Sequence, residues 1–294
     1  MILIDGRKIS AEIKAELKQK VEKYKNTYNM VPGLVTILIG ENPASKVYVN
    51  MKNKACKEIG VFSIMEHYDE SISEEKLLNV ISEYNNDERI HGILVQLPLP
   101  NHINESKVIE SVDPRKDVDG FHPISIGKLV LGKETFYSCT PYGIMELIKR
   151  YNIKTKGKNV VIVGRSNIVG KPLANMLMQK KENANAIVTV CHSAAEDISY
   201  YTKKADILIA AIGSPEFIKE EMVRDDAVVI DVGINRIEDP DSPKGYRIVG
   251  DVDFQNVSKK VSYITPVPGG VGPMTIAMLI NNTCLAFEKI RSNS

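Results

Sequence analysis

The chain has 294 residues, 43% of them hydrophobic, enough to bury a large core and, at roughly 100–200 residues per domain, to predict two domains. Lys and Arg number 38 against 37 Asp and Glu, so a formal net charge of +1 excludes the broad electropositive surface that nucleic acid requires. Every apolar run is shorter than the roughly 18 residues a membrane helix needs, and residues 1–6 lack the basic start and apolar core of a signal peptide, which predicts a soluble, cytoplasmic protein with no membrane partner.

Ile9, Ile13, Leu17, Val21 and Tyr24 recur at helical spacing and predict a first helix, with the charged run over residues 14–25 on its solvated face. Gly33 precedes a β-rich run, residues 34–39. Residues 43–59 are helical in pattern and stop at Gly60, a residue suited to the left-handed position beyond a helix end. A strand over residues 61–67 follows. Ser71 to Glu74 fits the reciprocal capping pattern S-x-x-E, and Leu77, Leu78, Ile81 and Tyr84 carry a helix along one face. Residues 92–97 predict a strand that ends at Pro98-Leu99-Pro100. Strands alternating with helices in this way predict βαβ units and a mainly parallel sheet.

Between Asp113 and Phe136 the pattern loosens into a connection containing Gly, Pro and Asp, and a helix over residues 141–151 leads into Lys154-Thr155-Lys156-Gly157-Lys158. A fresh alternation starts at Asn159, with short, nearly continuous apolar runs at 160–163, 187–191, 207–211 and 228–232. Such runs suit strands buried on both faces. Residues 273–290 predict a last helix that packs back on the first domain. The expected fold is α/β in two domains: residues 1–140 with the C-terminal segment 273–294, and a Rossmann-type parallel-sheet domain at 141–272.

Cys56, Cys139, Cys191 and Cys284 stand far apart with no C-x-x-C pair, and the five histidines show no H-x-x-x-H spacing. Reduced packing cysteines and no metal site are therefore expected. The acidic loop Asp113-Pro114-Arg115-Lys116-Asp117-Val118-Asp119-Gly120 lacks the alternating oxygen ligands and closing Glu of an EF-hand, and reads as a turn with one functional Asp. His122 and His192 read as structural or surface residues.

The run Val160-Val161-Ile162-Val163-Gly164-Arg165-Ser166-Asn167-Ile168-Val169-Gly170 places a glycine-bearing turn between a buried strand and a helix, where amide hydrogens and the helix dipole can hold a pyrophosphate. It departs from G-x-G-x-x-G, with Ser166 at the second glycine and Val169 at the third, so an ordinary β-to-α turn stays open as an alternative. NAD enzymes usually place an acid at the end of the second strand; here that strand ends Val190-Cys191-His192-Ser193. With Arg165 to supply a charge-assisted contact and Ser193 a hydroxyl, the reading favours NADP, although Glu196 and Asp197 follow closely.

Tyr48 and Lys52 are four apart on a predicted helix and share one face, a pairing that a solvated helix also explains. Gln96 falls in a buried-looking strand, where its amide needs a partner. The runs Glu41-Asn42-Pro43-Ala44-Ser45-Lys46-Val47-Tyr48-Val49-Asn50-Met51-Lys52 and Pro266-Val267-Pro268-Gly269-Gly270-Val271-Gly272-Pro273-Met274-Thr275 resemble the two signatures of the bifunctional methylenetetrahydrofolate dehydrogenase/methenyltetrahydrofolate cyclohydrolase family. Val95-Gln96-Leu97-Pro98-Leu99-Pro100, Lys116-Asp117-Val118-Asp119-Gly120, Gly164-Arg165-Ser166 and Asp231-Val232-Gly233-Ile234-Asn235 match in order between them, so the resemblance spans nearly the whole chain.

The resemblance implies a folate site on the first domain and NADP on the second, with a cleft between them and a homodimer as the assembly. It implies that Lys52 is the main catalytic residue, that Tyr48 positions substrate, that Gln96 tunes the lysine and that Asp119 grips the pterin-type ring. Val95, Leu97, Pro268, Gly269, Gly270, Val271 and Gly272 then line the folate site, and Gly164, Arg165, Ser166, Ser193, Ile234 and Thr275 meet the cofactor. The family often has a basic residue after the serine matching Ser193, where this chain has Ala194 and Ala195. A different two-domain NADP dehydrogenase, acting on shikimate or an amino acid, leaves Tyr48, Lys52 and Gln96 unexplained. A dinucleotide-binding sensor without catalysis is separated by turnover.

Overall fold

The computed structural model describes residues 1–242 and 245–292. In chain order the first elements are β1 (Ile2–Leu3), α1 (Gly6–Tyr28), β2 (Gly33–Ile39), α2 (Pro43–Ile59), β3 (Phe62–Tyr68), α3 (Glu74–Asn86), β4 (Gly92–Val95), α4 (Glu105–Ser111), α5 (Pro123–Val130) and α6 (Cys139–Arg150). Then follow β5 (Asn159–Val163), α7 (Gly170–Leu177), β6 (Ile187–Cys191), α8 (Ser199–Thr202), β7 (Ile207–Ala210), β8 (Val228–Asp231), β9 (Asn235–Glu238), β10 (Tyr246–Val249), α9 (Phe254–Val257), β11 (Tyr263–Ile264) and α10 (Val271–Ser292). The chain divides into two units: Ala11–Cys139 with Ile276–Ser294, and Met1–Ser10 with Thr140–Thr275.

The first of these is built on a three-stranded parallel sheet in the order β3-β2-β4, with Leu34 opposite Ser63 on one side and Gly92 on the other. β2 is buried along its whole length, as its unbroken apolar sequence requires. Val35, Ile37 and Ile39 pack with Leu77, Ile81, Ile93 and Val108. Ile13, Leu17, Val21 and Tyr24 of α1 are all buried, so the helical spacing marks the inward face. The C-terminal helix also packs here. Phe287 is fully buried, its ring 4.9 Å from that of Tyr24 and 4.8 Å from that of His91. Asn282 Nδ2 donates to the carbonyls of Val118 (2.8 Å) and Tyr137 (2.9 Å). Of the expected terminal segment 273–294, residues 293 and 294 lie outside the described residues.

Helix ends follow local chemistry. The Asn42 side chain accepts from Ser45 N at 3.1 Å, Pro43 opens α2, and Gly60 (φ 92°) donates to Cys56 O at 3.0 Å in the left-handed position. The expected capping box at Ser71 is displaced by two residues. Ser73 caps α3 by accepting from Lys76 N at 3.2 Å, while the Ser71 hydroxyl donates to Asp69 at 2.6 Å. Glu74 has partners elsewhere, accepting from Asn104 N (2.8 Å) and Lys107 Nζ (2.6 Å). The helix starts where a serine meets its N3 amide, and an S-x-x-E spacing alone does not fix that point.

The second unit carries a six-stranded parallel sheet in the order β1-β11-β8-β7-β5-β6. Val161, Val163, Leu208, Ala210, Val229 and Ile264 share one core beside it. The expected boundaries put residues 1–10 in the first domain, but Ile2 pairs with Tyr263 and Leu3 with Ile264, which places β1 at the edge of this sheet. A β9–β10 antiparallel hairpin and the short helices α4 and α5 arise where no regular pattern was legible. Among the described residues, no helix is long and apolar enough to cross a membrane.

Candidate active site

In the three-stranded unit, α2 places Tyr48 and Lys52 one turn apart, and Lys52 is buried to 8% exposure despite its charge. Its Nζ donates to Gln96 Oε1 at 3.0 Å. Gln96 stands just beyond β4 rather than inside it; its backbone N donates to Ile37 O at 2.8 Å and its Nε2 to Leu97 O at 2.7 Å. Both bonds fix the amide with its oxygen toward the lysine, so the buried ammonium has a neutral acceptor rather than a carboxylate partner. Burial pushes the Asp119 carboxyl above its ordinary range, an effect opposed by the Lys52 charge and the Cys139 thiol. Burial likewise raises the Tyr48 phenol above its ordinary value.

Sequence reasoning missed Asp117. Its Oδ1 accepts from Gly120 N and Phe121 N, both at 3.1 Å, and its Oδ2 from His122 N at 3.0 Å and Ser125 Oγ at 2.6 Å. Burial pushes this carboxyl up to about 6 against those donors. It shapes the loop that carries Asp119, and the signal for it was the D-x-D-G spacing, which read as a turn. Val95, Leu97, Asp117, Asp119 and Phe121 line a common pocket. His122 is the structural residue expected, buried and accepting at Nδ1 from Ile124 N at 3.0 Å to cap α5.

The remaining site residues belong to the six-stranded unit. Gly164 (φ 129°) directly follows β5, where an added Cβ would lie 2.1 Å from Ala211 O, and a Cβ on Gly170 would lie 2.1 Å from Gly164 O. Gly170, one position after the expected third glycine, therefore lets the helix start approach the strand end. Ser166 Oγ accepts from Val169 N (3.1 Å) and Gly170 N (3.4 Å), tying down the start of α7. Arg165 and Ser193 are exposed beyond β5 and β6. Asp197 is held away from the strand end, its carboxylate accepting from Ser199 N (2.8 Å) and Ser199 Oγ (2.6 Å). Ile234 is half exposed after β8, and the Thr275 hydroxyl meets that of Thr140 at 3.0 Å. Pro268 is exposed, while Gly269, Gly270 and Val271 are buried beside α1, where Arg7 N donates to Gly269 O at 3.1 Å. An open parallel sheet with a glycine turn at a helix start and an exposed arginine fits a 2′-phosphorylated dinucleotide, with Glu196 exposed and Asp197 bonded to Ser199 a few residues past β6. Among the described residues no three metal-ligating side chains converge.

A dinucleotide-type sheet in one unit and a buried Lys–Gln pair with a raised aspartate in the other define an α/β enzyme of the two-domain dehydrogenase class. Residues 4–119 match the catalytic domain, and residues 138–291 the NAD(P)-binding domain, of the tetrahydrofolate dehydrogenase/cyclohydrolase family. The chain belongs to this family. It is 59% identical to the bifunctional protein FolD of Chloroherpeton thalassium over 290 residues, 98% of this chain and 99% of the relative. Among solved structures it resembles the Campylobacter jejuni bifunctional enzyme FolD (50% identity, TM-score 0.93, 99% of both chains). It also resembles the Trypanosoma brucei dehydrogenase-cyclohydrolase complexed with NADP cofactor and inhibitor (37% identity, TM-score 0.94, covering 99% of this chain and 98% of that one).

Proposed function

We propose that this chain oxidises 5,10-methylenetetrahydrofolate to 5,10-methenyltetrahydrofolate with NADP and then hydrolyses the product to 10-formyltetrahydrofolate. The observation that carries the reading is the bond from Lys52 Nζ on α2 to Gln96 Oε1 just beyond β4, in the unit that also presents Asp119. A bound nicotinamide would supply the hydride acceptor. Gly164 and Ser166 would hold the pyrophosphate, Arg165 and Ser193 the 2′-phosphate, and Ile234 and Thr275 would complete the cofactor site.

Asp119 accepts from the amino-pyrimidine edge of the folate, and Tyr48 orients the one-carbon bridge. Val95, Leu97 and the run Pro268 to Gly272 line the folate. The methenyl product is a cation, and its hydrolysis requires one proton taken from water and one delivered to the leaving nitrogen. Lys52 moves both protons, and Gln96 aims its amine without adding a charge. The same reading makes the enzyme a cytoplasmic homodimer with its folate as the small-molecule partner, and light scattering on the purified protein checks the dimer.

The test is to mix protein, methylenetetrahydrofolate and each oxidised cofactor, following reduced nicotinamide and methenyl absorbance. A sensor binds NADP without turnover. General acid-base catalysis typically contributes about a hundredfold to ten-thousandfold, so Lys52→Met should abolish hydrolysis, retain part of the dehydrogenase activity and let methenyltetrahydrofolate accumulate. Wild-type hydrolysis by Lys52→Met would remove Lys52 from the mechanism.

A further inference from the structure

Two buried carboxylates of the six-stranded unit have no part in the chemistry above. Asp231 ends β8 at 3% exposure, and Asp251, just beyond β10, is 0% exposed. Their partners are amides. Asp251 Oδ2 accepts from Ile212 N (2.6 Å) and Gly213 N (3.0 Å), and its Oδ1 from Ser214 N (3.0 Å) and Asn235 Nδ2 (2.9 Å). Asp231 Oδ1 accepts from Gly233 N (3.0 Å) and Asp251 N (2.9 Å), and its Oδ2 from Val252 N (2.9 Å). The backbone is built around these groups: a Cβ on Gly233 would lie 2.2 Å from Asp251 Oδ1, and one on Gly250 would lie 1.8 Å from Asp231 Oδ2.

What the pair holds is the ligand-facing rim of the sheet. Ile212, Gly213 and Ser214 follow β7, and Gly233 to Asn235 follow β8. In an open parallel sheet the ligand lies beyond the carboxyl ends of the strands. β8, β7 and β5 are neighbours, and Ala211 N donates to Val163 O at 2.8 Å, which ties the loop after β7 to the glycine turn. Ile234 stands half exposed between Gly233 and Asn235, each held by one of the two carboxylates. Asp251 has no exposed surface with which to touch a ligand, so it acts through the loops it holds.

We propose that Asp251, seated on Asp231, is a positioning residue for the dinucleotide, fixing the loops beyond β7 and β8 so that the Ile212 to Ser214 backbone and Ile234 face the cofactor. The proposal rests on the functional reading above and names a residue that reading does not use. A carboxylate has acceptor positions for all four donors, whereas an asparagine would turn an N–H toward some of them. Loosened loops must be reordered on binding, which weakens affinity for the cofactor more than it slows turnover once the cofactor is bound.

The experiment is fluorescence titration of purified Asp251→Asn with NADPH, in the absence of folate, beside steady-state assays. Each rate is referred to the methenyl hydrolysis rate of the same preparation. The NADPH Kd and the KM for NADP should both rise about tenfold or more, equivalent to at least about 1.4 kcal/mol, with kcat at saturating NADP within about threefold of wild type. An unchanged Kd, or Kd unchanged with kcat lowered, overturns the proposal. Should Asp251→Asn fail to fold, Asn235→Ala removes one donor from the same carboxylate and should raise the NADPH Kd by about threefold, and no change would overturn the proposal equally. Because NADPH binding is read without folate, a wild-type protein that binds NADPH but does not oxidise methylenetetrahydrofolate would sink the functional reading and leave this test standing.

Discussion

Arg165 is exposed on the turn after β5, and Asp197, beyond β6, is bonded to Ser199. A charge-assisted bond is worth about 1.5–3 kcal/mol, so Arg165→Ala should lower kcat/KM for NADP roughly tenfold or more and leave the NAD value nearly unchanged. Equal losses with both cofactors would show that Arg165 does not read the 2′-phosphate. With Ala194 and Ala195 following Ser193, the proposed reading leaves that discrimination to the arginine and one hydroxyl. The site was legible at this scale wherever a residue type and a short spacing sufficed: Tyr48 and Lys52 on one helix face, and Gly164 after a buried strand. It was not legible where the partner is distant in sequence. The family resemblance joined Gln96 to Lys52 across 44 residues, but Asp117 and Asp251 draw their meaning from amides that only the folded loops bring to them.

α10 shows how one element closes a core. Phe287 is fully buried among Tyr24, Tyr28 and His91, and the neighbouring Glu288 accepts from Tyr24 Oη at 2.6 Å. Removing that ring leaves a cavity between α1, α10 and His91, so Phe287→Ala should cost about 3–5 kcal/mol, read as a lower denaturant midpoint in equilibrium unfolding. A loss below 1 kcal/mol would mean that the helix is held by its other contacts. The long elements were readable because burial imposes a period: α2, β2 and β5 to β8 fall within one residue of the apolar patterns that announce them, and α1 within four. The short ones were not. α4 and α5 run for seven and eight residues and β1 for two, too few for a period to repeat. β9 and β10 alternate half-buried and exposed positions, with charged residues in β9 that hide the strand.

For the molecule as a whole, pH acts through groups of opposite sign. Burial, with Lys116 and Arg291 adding to it, lowers His91 from its ordinary 6.5 to about 4, and its Nδ1 accepts from Gly33 N at 3.0 Å, which requires the neutral ring. An unfolded chain takes up that proton near 6.5 while the folded chain resists until about 4, so stability is full above 6.5 and is lost as pH falls between these values, by about 3 kcal/mol in all. Burial raises Asp117 to about 6 and Asp231 to about 7, and such carboxyls favour folding at low pH and lose their contribution as pH rises. The raw pH profile therefore sums opposing trends, and the decisive measurement is the stability difference between pH 7.5 and 5 in wild type and His91→Gln, which keeps an acceptor for Gly33. The histidine protein should lose more on acidification; parallel profiles would exclude His91 as the cause. The division of the chain into units has a consequence for its synthesis. Each unit is made of two separate stretches: among the described residues β1 pairs with β11 alone, about 260 residues further along the sequence, and α10 brings Phe287 to the helix α1. Translation order therefore serves the two units unequally: the cluster beside β2 has its buried members between Val35 and Val112, whereas the six-stranded sheet cannot be completed until Tyr263 and Ile264 have been made, and a stop codon inside α10 leaves the first unit without Phe287.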